Sequence, residues 1–386
     1  MFEPNIYTHY VYSPYSMDTA KSKIDWHCFL NRPPLPEPST ASLDLLRKAS
    51  ILVTGAGGSI GSDLSLQLAS LGPRRLVLIE SSEQALFRLS AALEERGYSD
   101  LQLILGDVAD EALLEETFHS HRPDFVFHAA AYKHVCLLEN HPLAAVKNNS
   151  LATHSLATVA TKYKSRIVLL STDKAVDPTS ILGASKRIAE LIVIAAGGVV
   201  MRLVNVLGSR GSVTETLLQQ INSSNPMVIT DAGAERYFIT SDEAVALLMA
   251  TAVEADSGSL FVPALETSHS VVSLALFLAS QAMPHHAVPL TFTQLRCGEK
   301  LKESLWSPRE TPLESNIKGT IRISRDSHFA EDALTAERTI LQLQSAAAER
   351  DLPEVLEAVA RLVPSYTPSK TVQILAVKSA PGFQPA

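Results

Sequence analysis

Residues Ser171-Thr172-Asp173-Lys174 bring hydroxyls, a carboxylate and an amine into one short stretch. The apolar run before it, Ile167-Val168-Leu169-Leu170, reads as a buried strand. The polar groups therefore fall at the carboxyl end of a sheet strand, where open α/β sheets bind their ligands. A carboxylic acid beside an amine can give one proton and take another within a single site. An amine acting as a base needs a lowered pKa, which burial and nearby cations supply. The plainer alternative for Asp173 and Lys174 is an ion pair in a loop.

A second constellation precedes it. Ile51-Leu52-Val53-Thr54 reads as a strand, Gly55-Ala56-Gly57-Gly58-Ser59-Ile60-Gly61 follows at once, and Ser62 to Ser70 has a helical pattern. Glycines at 55, 58 and 61 suit a tight turn, a close backbone approach to a pyrophosphate and close helix packing. The spacing is GxxGxxG, because Ile60 stands where GxGxxG would need glycine. The next strand, Arg75 to Ile79, ends in Glu80, placed to bind adenosine ribose hydroxyls. A carboxylate there repels a 2′-phosphate, so NAD is expected over NADP; the alternative for Glu80 is a solvated carboxylate at a helix start. Asp107 and Val108 end a third strand and would flank the adenine. Ala129 and Ala130 end a fourth, and their small side chains would let a dinucleotide lie close to the backbone.

The elements that must position these groups alternate. From residue 48 to 204 strand-like runs alternate with helical patterns, the βαβ signature of a Rossmann-like, doubly wound parallel sheet. Residues 1–47 read as an N-terminal arm, rich in tyrosine, and a proline-rich linker. Residues 205–328 read mainly as a smaller mixed α/β lobe for substrate, with returns to the parallel core allowed. Residues 329–370 read as closing helices and residues 371–386 as a poorly tied tail. A hydrophobic content of 46% with 19% charged residues describes a globular chain. A net charge of -8 argues against nucleic acid as a partner. Cys28, Cys136 and Cys297 form no CxxC pair, so a reducing compartment and no metal site are expected. The most apolar run, Leu191 to Leu207, is broken by Gly197, Gly198 and Arg202, so no membrane span is expected. The first residues carry no basic start and no apolar core, so a signal peptide is not expected.

Several motifs occur in one order along the chain. They are Arg32-Pro33-Pro34, the glycine turn, His128-Ala129-Ala130-Ala131-Tyr132-Lys133-His134-Val135 and Ser171-Thr172-Asp173-Lys174-Ala175-Val176. Asn205-Val206-Leu207-Gly208-Ser209-Arg210-Gly211-Ser212, Arg236-Tyr237-Phe238, Gly298-Glu299-Lys300-Leu301 and Leu362-Val363-Pro364 follow. With these the chain resembles, from about Asn31 to Ser369, the CapD-like nucleotide-sugar dehydratases of bacterial polysaccharide biosynthesis. These belong to the extended short-chain dehydrogenase/reductase superfamily, whose best-known members of this type are UDP-N-acetylglucosamine 4,6-dehydratases.

The resemblance implies bound NAD, oxidation at C4 of the sugar, loss of water across C5 and C6, and reduction at C6. It implies that Lys174 is the C5 base, Asp173 the acid for the departing C6 hydroxyl and Thr172 a hydrogen-bond partner of the C4 oxygen. It places Lys186 against the nicotinamide ribose. It assigns Arg210, Arg236 and Arg296 to a UDP diphosphate, Glu299 to ribose hydroxyls, Asn205 to sugar or phosphate, and Lys133 and His134 to the sugar. A cytoplasmic homo-oligomer similar to the catalytic half of the long membrane-anchored members is expected. Leu182 stands where many superfamily members carry tyrosine and the long dehydratases often carry methionine. Ala152, Leu203-Val204 and Cys297 also depart from the usual pattern. A UDP-sugar 4-epimerase and a drifted, NAD-bound sugar-nucleotide sensor remain as alternatives.

Overall fold

A computed structural model describes residues 24–99, 101–223, 225–282, 289–324 and 333–379. The tyrosine-rich part of the arm lies outside these residues. Consecutive apolar runs build the centre. Strands β1 (Ser50–Thr54), β2 (Arg75–Glu80), β3 (Gln102–Leu105), β4 (Phe125–His128), β5 (Arg166–Thr172) and β6 (Val199–Leu203) are joined by helical crossovers and pair in parallel. Every residue of β1 and β6 is buried, which is what a strand covered by helices on both faces requires.

Beyond β6 the chain leaves the sheet and returns. Short strands β7 (Asn205–Val206), β8 (Met227–Ile229), β9 (Glu235–Arg236) and β10 (Phe238–Ile239) lie outside it, and β11 (Leu260–Pro263) rejoins it parallel to β6. After β12 (His269–Ser270) and β13 (Leu290–Phe292), strands β14 (Thr311–Leu313) and β15 (Thr320–Ser324) close the sheet antiparallel. The nine-stranded order is β14-β15-β11-β6-β5-β4-β1-β2-β3. The chain runs outward from β1 to β3 and then restarts on the other side at β4. The crevice between the carboxyl ends of β1 and β4 is thus the topological switch point.

The small strands pair as β7 with β10, β8 with β13, and β9 with β12. They enclose a second apolar cluster that includes Phe29, Leu217, Met227, Phe238 and Leu274. The Arg-Pro-Pro linker is fixed to this lobe: Arg32 forms a forked ion pair with Glu243, at 2.6 and 2.9 Å. Glu243 also completes a capping box with Thr240 at the start of helix Ser241–Glu254. Helices Ala333–Glu349 and Leu352–Leu362 follow the sheet. The expected tail is corrected in part: Lys370–Ser379 is a helix, anchored by buried Val372. Among the described residues, no helix is long and apolar enough to cross a membrane, and no cluster of His, Cys, Asp or Glu has metal-binding geometry.

Candidate active site

The carboxyl end of β1 turns into helix α1 (Ser59–Leu71) through the glycine motif. Gly55 has a φ of +65°, and a Cβ there would lie 2.6 Å from the backbone of Ala130, just past β4. Glycine at 55 and the backbone past β4 therefore fit as one unit. Gly61 packs tighter still, since a Cβ would meet the Gly55 carbonyl. Gly58, the residue at the N-cap of α1, places no side chain on the first-turn N–H groups, the arrangement that suits an anion. Glu80 ends β2 and takes the Gly57 N–H at 2.9 Å and the Ser82 N–H at 3.0 Å. Each of its oxygens keeps acceptor capacity for a ribose hydroxyl. Val108 is buried, while Asp107 is exposed and accepts from the Ala109 N–H. The switch-point crevice, its uncapped helix start and the acid beside it fit the groups of NAD.

His128, the last residue of β4, sits between the hydroxyls of Thr54 at 2.7 Å and Thr153 at 2.9 Å. Burial, with Lys186 nearby, pushes its pKa down to about 3, so the ring is neutral. Beyond it Asn149 holds the backbone of Tyr132 through both N–H and C=O, and also donates to Ser185. Asn149 lies in a π-helical turn, Lys147–Leu151, a bulge of the kind that often marks functional positions.

The turn after β5 carries the candidate catalytic residues. Thr172 caps the one-turn helix Asp173–Ala175, and its hydroxyl donates to Asp173 Oδ1 at 3.0 Å. Lys174 Nζ donates to the same Oδ1 at 2.9 Å and to Asn205 Oδ1 at 3.3 Å. Asp173 is 1% exposed and its Oδ2 has no hydrogen-bond partner. A buried acceptor left open in this way is costly unless a donor arrives. Glu303, on a distant segment, places Oε1 3.9 Å from Lys174 Nζ. Burial opposes the charge on Lys174, but the carboxylates of Asp173 and Glu303 outweigh it and hold the amine above its usual pKa, against the small opposing push of Arg236. The expectation of a lowered pKa at Lys174 is therefore corrected: two anions face it where cations were expected.

Helix α2 (Ile181–Ala195) follows. The Ser180 hydroxyl caps it through the Gly183 N–H, and Glu139, buried on a separate helix, accepts from the Ile181 N–H at 2.7 Å. Leu182 is buried in the core, a wall and not a proton carrier. Lys186, 4% exposed, donates to the Leu170 carbonyl at 2.7 Å. Burial lowers its pKa to about 8, with Glu190 opposing. Beneath the turn, Ser171 donates to Glu190, which pairs with Arg202 and Arg187; both arginines also pair with Glu310.

The residues expected around a UDP group are dispersed among other partners. Arg210 lies on the glycine turn, donating to Gly57 O at 2.9 Å, Gly58 O at 3.2 Å and Ser62 Oγ at 3.2 Å. Its peptide N–H reaches Ser59 Oγ, and Lys133 donates to its carbonyl. Arg210 thus lies against the glycine turn, where its guanidinium is engaged by the turn's carbonyls. His134 packs against Gly211, where a Cβ would come within 2.7 Å of the ring. Arg236 spends its guanidinium on the carbonyls of Glu235, Lys300 and Leu301. Arg296 is exposed, and its N–H meets Glu299 Oε2 at 3.1 Å. Sequence reasoning missed Asn149, Glu139 and Glu303. Glu303 stands three residues past Lys300 of a quoted motif, the one signal that could have drawn attention to it.

Comparison with known proteins agrees with this architecture. Residues 51–325 match the family described as polysaccharide biosynthesis protein, and the chain belongs to it. The capsular polysaccharide biosynthesis protein CapD of Staphylococcus aureus is 34% identical over 300 residues, covering 75% of this chain and 50% of that protein. The chain thus spans about half the length of the first curated relatives it matches. A UDP-glucose 4-epimerase of Rickettsia rickettsii is 27% identical over 76% of this chain and 89% of its own length. A UDP-N-acetylglucosamine 4,6-dehydratase (inverting) of Campylobacter jejuni is 27% identical over 74% of this chain and 86% of its own. Among solved structures, a double mutant of the dTDP-glucose 4,6-dehydratase DesIV of Streptomyces venezuelae, with NAD and DAU bound, superposes with a TM-score of 0.60 at 19% identity. That match covers 66% of this chain and 87% of DesIV, and likens the fold.

Proposed function

We propose that this member of the polysaccharide biosynthesis family is an NAD-dependent nucleotide-sugar 4,6-dehydratase acting on a UDP-sugar, with UDP-N-acetylglucosamine as the favoured substrate. The observation that carries the reading is the Asp173–Lys174 pair at 2.9 Å beside the Thr172 hydroxyl, at the carboxyl end of β5. NAD would be held by the turn Gly55–Gly61, Glu80, Val108, Ala129, Ala130 and Lys186, and supplies the hydride acceptor and donor that a redox-neutral dehydration needs.

The chain's own groups divide the remaining work. Thr172 hydrogen-bonds the C4 oxygen of the sugar and relays the C4 hydroxyl proton to solvent as hydride leaves C4. Lys174 takes the proton from C5, acidified once C4 is a ketone. Asp173 gives a proton to the C6 hydroxyl as the C6–O bond breaks and water leaves. Lys174 returns its proton to C5 as hydride enters C6, and solvent restores the proton that Asp173 gave. The resting ion pair and the productive pair, neutral amine with protonated carboxyl, carry the same total charge. They differ by one proton moved between partners 2.9 Å apart. The open, buried Oδ2 of Asp173 offers the acceptor that a sugar hydroxyl would satisfy.

One observation favours a second reading, a UDP-sugar 4-epimerase. Lys174 is held charged between two carboxylates, a state that serves an enzyme with no C5 chemistry equally well. Leu182 does not separate the two, since both begin by oxidising C4; the Asp173–Lys174 pair weighs against the epimerase, which needs no acid and base for C5 and C6. The family's place in surface-polysaccharide synthesis, a cytoplasmic site of action and a homo-oligomer complete the proposal.

The test is incubation of purified protein with a panel of UDP- and dTDP-sugars, followed by mass spectrometry. A dehydratase yields a product lighter by one water from UDP-N-acetylglucosamine. A product of unchanged mass but altered C4 configuration assigns the epimerase instead, and no conversion of any sugar in the panel sinks both.

A further inference from the structure

The proposed reaction leaves one buried charge pair unused. Glu303 has a side chain only 3% exposed, with Oε1 3.9 Å from Lys174 Nζ and Oε2 3.3 Å from Lys300 Nζ. Oε2 has no hydrogen-bond partner of its own. Lys300 Nζ instead donates to the Val176 carbonyl at 2.6 Å, the residue that ends the Asp173–Ala175 turn. A buried carboxylate oxygen with an ion-pair neighbour but no hydrogen bond is costly in general, so its position must be imposed from elsewhere. The surrounding segment supplies that constraint. Arg236 grips the carbonyls of Lys300 and Leu301, the Glu235 N–H reaches Leu301 O at 3.0 Å, and Lys302 bridges to Glu235. The segment is thus strapped to β9 on one side and to the reactive turn on the other.

We infer that Lys300 and Glu303 form a positioning pair that sets how tightly Lys174 holds its proton. This rests on the reading of Lys174 as the base. The charged groups facing Lys174 are Asp173 on its own turn, Glu303 from the distant segment and Arg236 from β9; Lys300 acts through Glu303. Glu303 favours the ammonium, and Lys300 partly cancels Glu303. Removing either partner therefore moves Lys174 in opposite directions, a pattern that general loosening of the site does not produce.

The test is acetylation of the intact protein, with its native cofactor, by acetic anhydride at about pH 9. Labelling of Lys174 is read by peptide mass spectrometry and normalised to the exposed Lys48. Only the neutral amine reacts, and Lys174 is 23% exposed, open to a small reagent. Glu303→Gln should raise the Lys174 labelling rate about tenfold, the equivalent of one pH unit. Lys300→Met should lower it severalfold. Unchanged labelling in a folded Glu303→Gln variant overturns the inference. If that variant does not fold, Lys300→Met decides alone, and a rate equal to or above the parent's overturns it. Opposed shifts in a protein that dehydrates no sugar would leave the charge control standing and remove the dehydratase reading. Unmoved labelling in an active dehydratase would do the reverse.

Discussion

Glu190→Gln tests the buried network beneath the reactive turn. Glu190 is fully buried and accepts from Ser171 Oγ at 2.6 Å, from Arg202 Nε and Nη2 at 2.8 Å each, and from Arg187 Nη1 at 2.8 Å. With Glu310 it balances two arginines, so losing its charge leaves a net buried cation. Breaking such a pair costs about 3–5 kcal/mol. The depressed pKa of the carboxyl corresponds to a similar figure. Burial pushes the Glu190 carboxyl up, but Arg202 and then Arg187 outweigh it and bring it from 4.5 to about 2. At about 1.4 kcal/mol per pH unit, that is about 3 kcal/mol. A depressed carboxyl stabilises fully above its unfolded pKa, and the contribution is lost as pH falls from 4.5 toward 2. Urea unfolding should therefore show a parent-to-variant gap of about 3 kcal/mol near pH 7.5, narrowing to about 1 kcal/mol near pH 3. The thermal midpoint should fall by about 4–6 °C. Removing the partner as well, in Glu190→Gln with Arg202→Met, should recover part of the loss. A neutral-pH gap under about 1 kcal/mol, or one that widens in acid, refutes the reasoning.

Three further outcomes are expected. Lys174→Ala should cut water loss and C5 exchange with solvent deuterium by about 10²–10⁴-fold, and turnover within about tenfold of the parent removes the base assignment. Gly55→Ala forces a side chain into a φ of +65° and to 2.6 Å from Ala130. The protein should then lose the NAD released on denaturation of the parent, and full retention would contradict the switch-point assignment. Leu182→Met should cost under about 1.5 kcal/mol in unfolding measurements and leave activity near the parent's. An inert parent rescued by Leu182→Tyr would instead favour a decayed tyrosine-dependent enzyme.

The parallel sheet was legible because its strands are short, continuous apolar runs separated by helical patterns. The glycine turn was legible because its demands on backbone space leave a spacing in the sequence. The destinations of arginine side chains were not. Arg210, Arg236 and Arg296 lie in motifs, but a motif fixes neighbours along the chain and not the partners a long side chain reaches. In the structure Arg210 joins the glycine turn and Arg236 ties down residues 300–301. The helix Lys370–Ser379 was missed for a related reason: its pattern is weak, and one buried residue, Val372, anchors it.

The charge on Lys174 shows most clearly what a local reading leaves out. Along the chain its neighbour is Asp173, and the apolar strand before it suggests burial that would strip the ammonium of its proton. Burial is indeed the largest influence. Asp173 beside it, and then Glu303, which arrives from a segment far along the chain, together outweigh burial and hold the amine above its usual pKa. On the proposed reaction this reversal is an advantage. A lysine that rests charged forms an ion pair with Asp173 that is neutral overall until a substrate displaces the balance. The proton then has a short path, 2.9 Å, from amine to carboxylate, which turns one resting ion pair into a base and an acid together. A lysine with a lowered pKa would provide the base but leave Asp173 without the proton it must give.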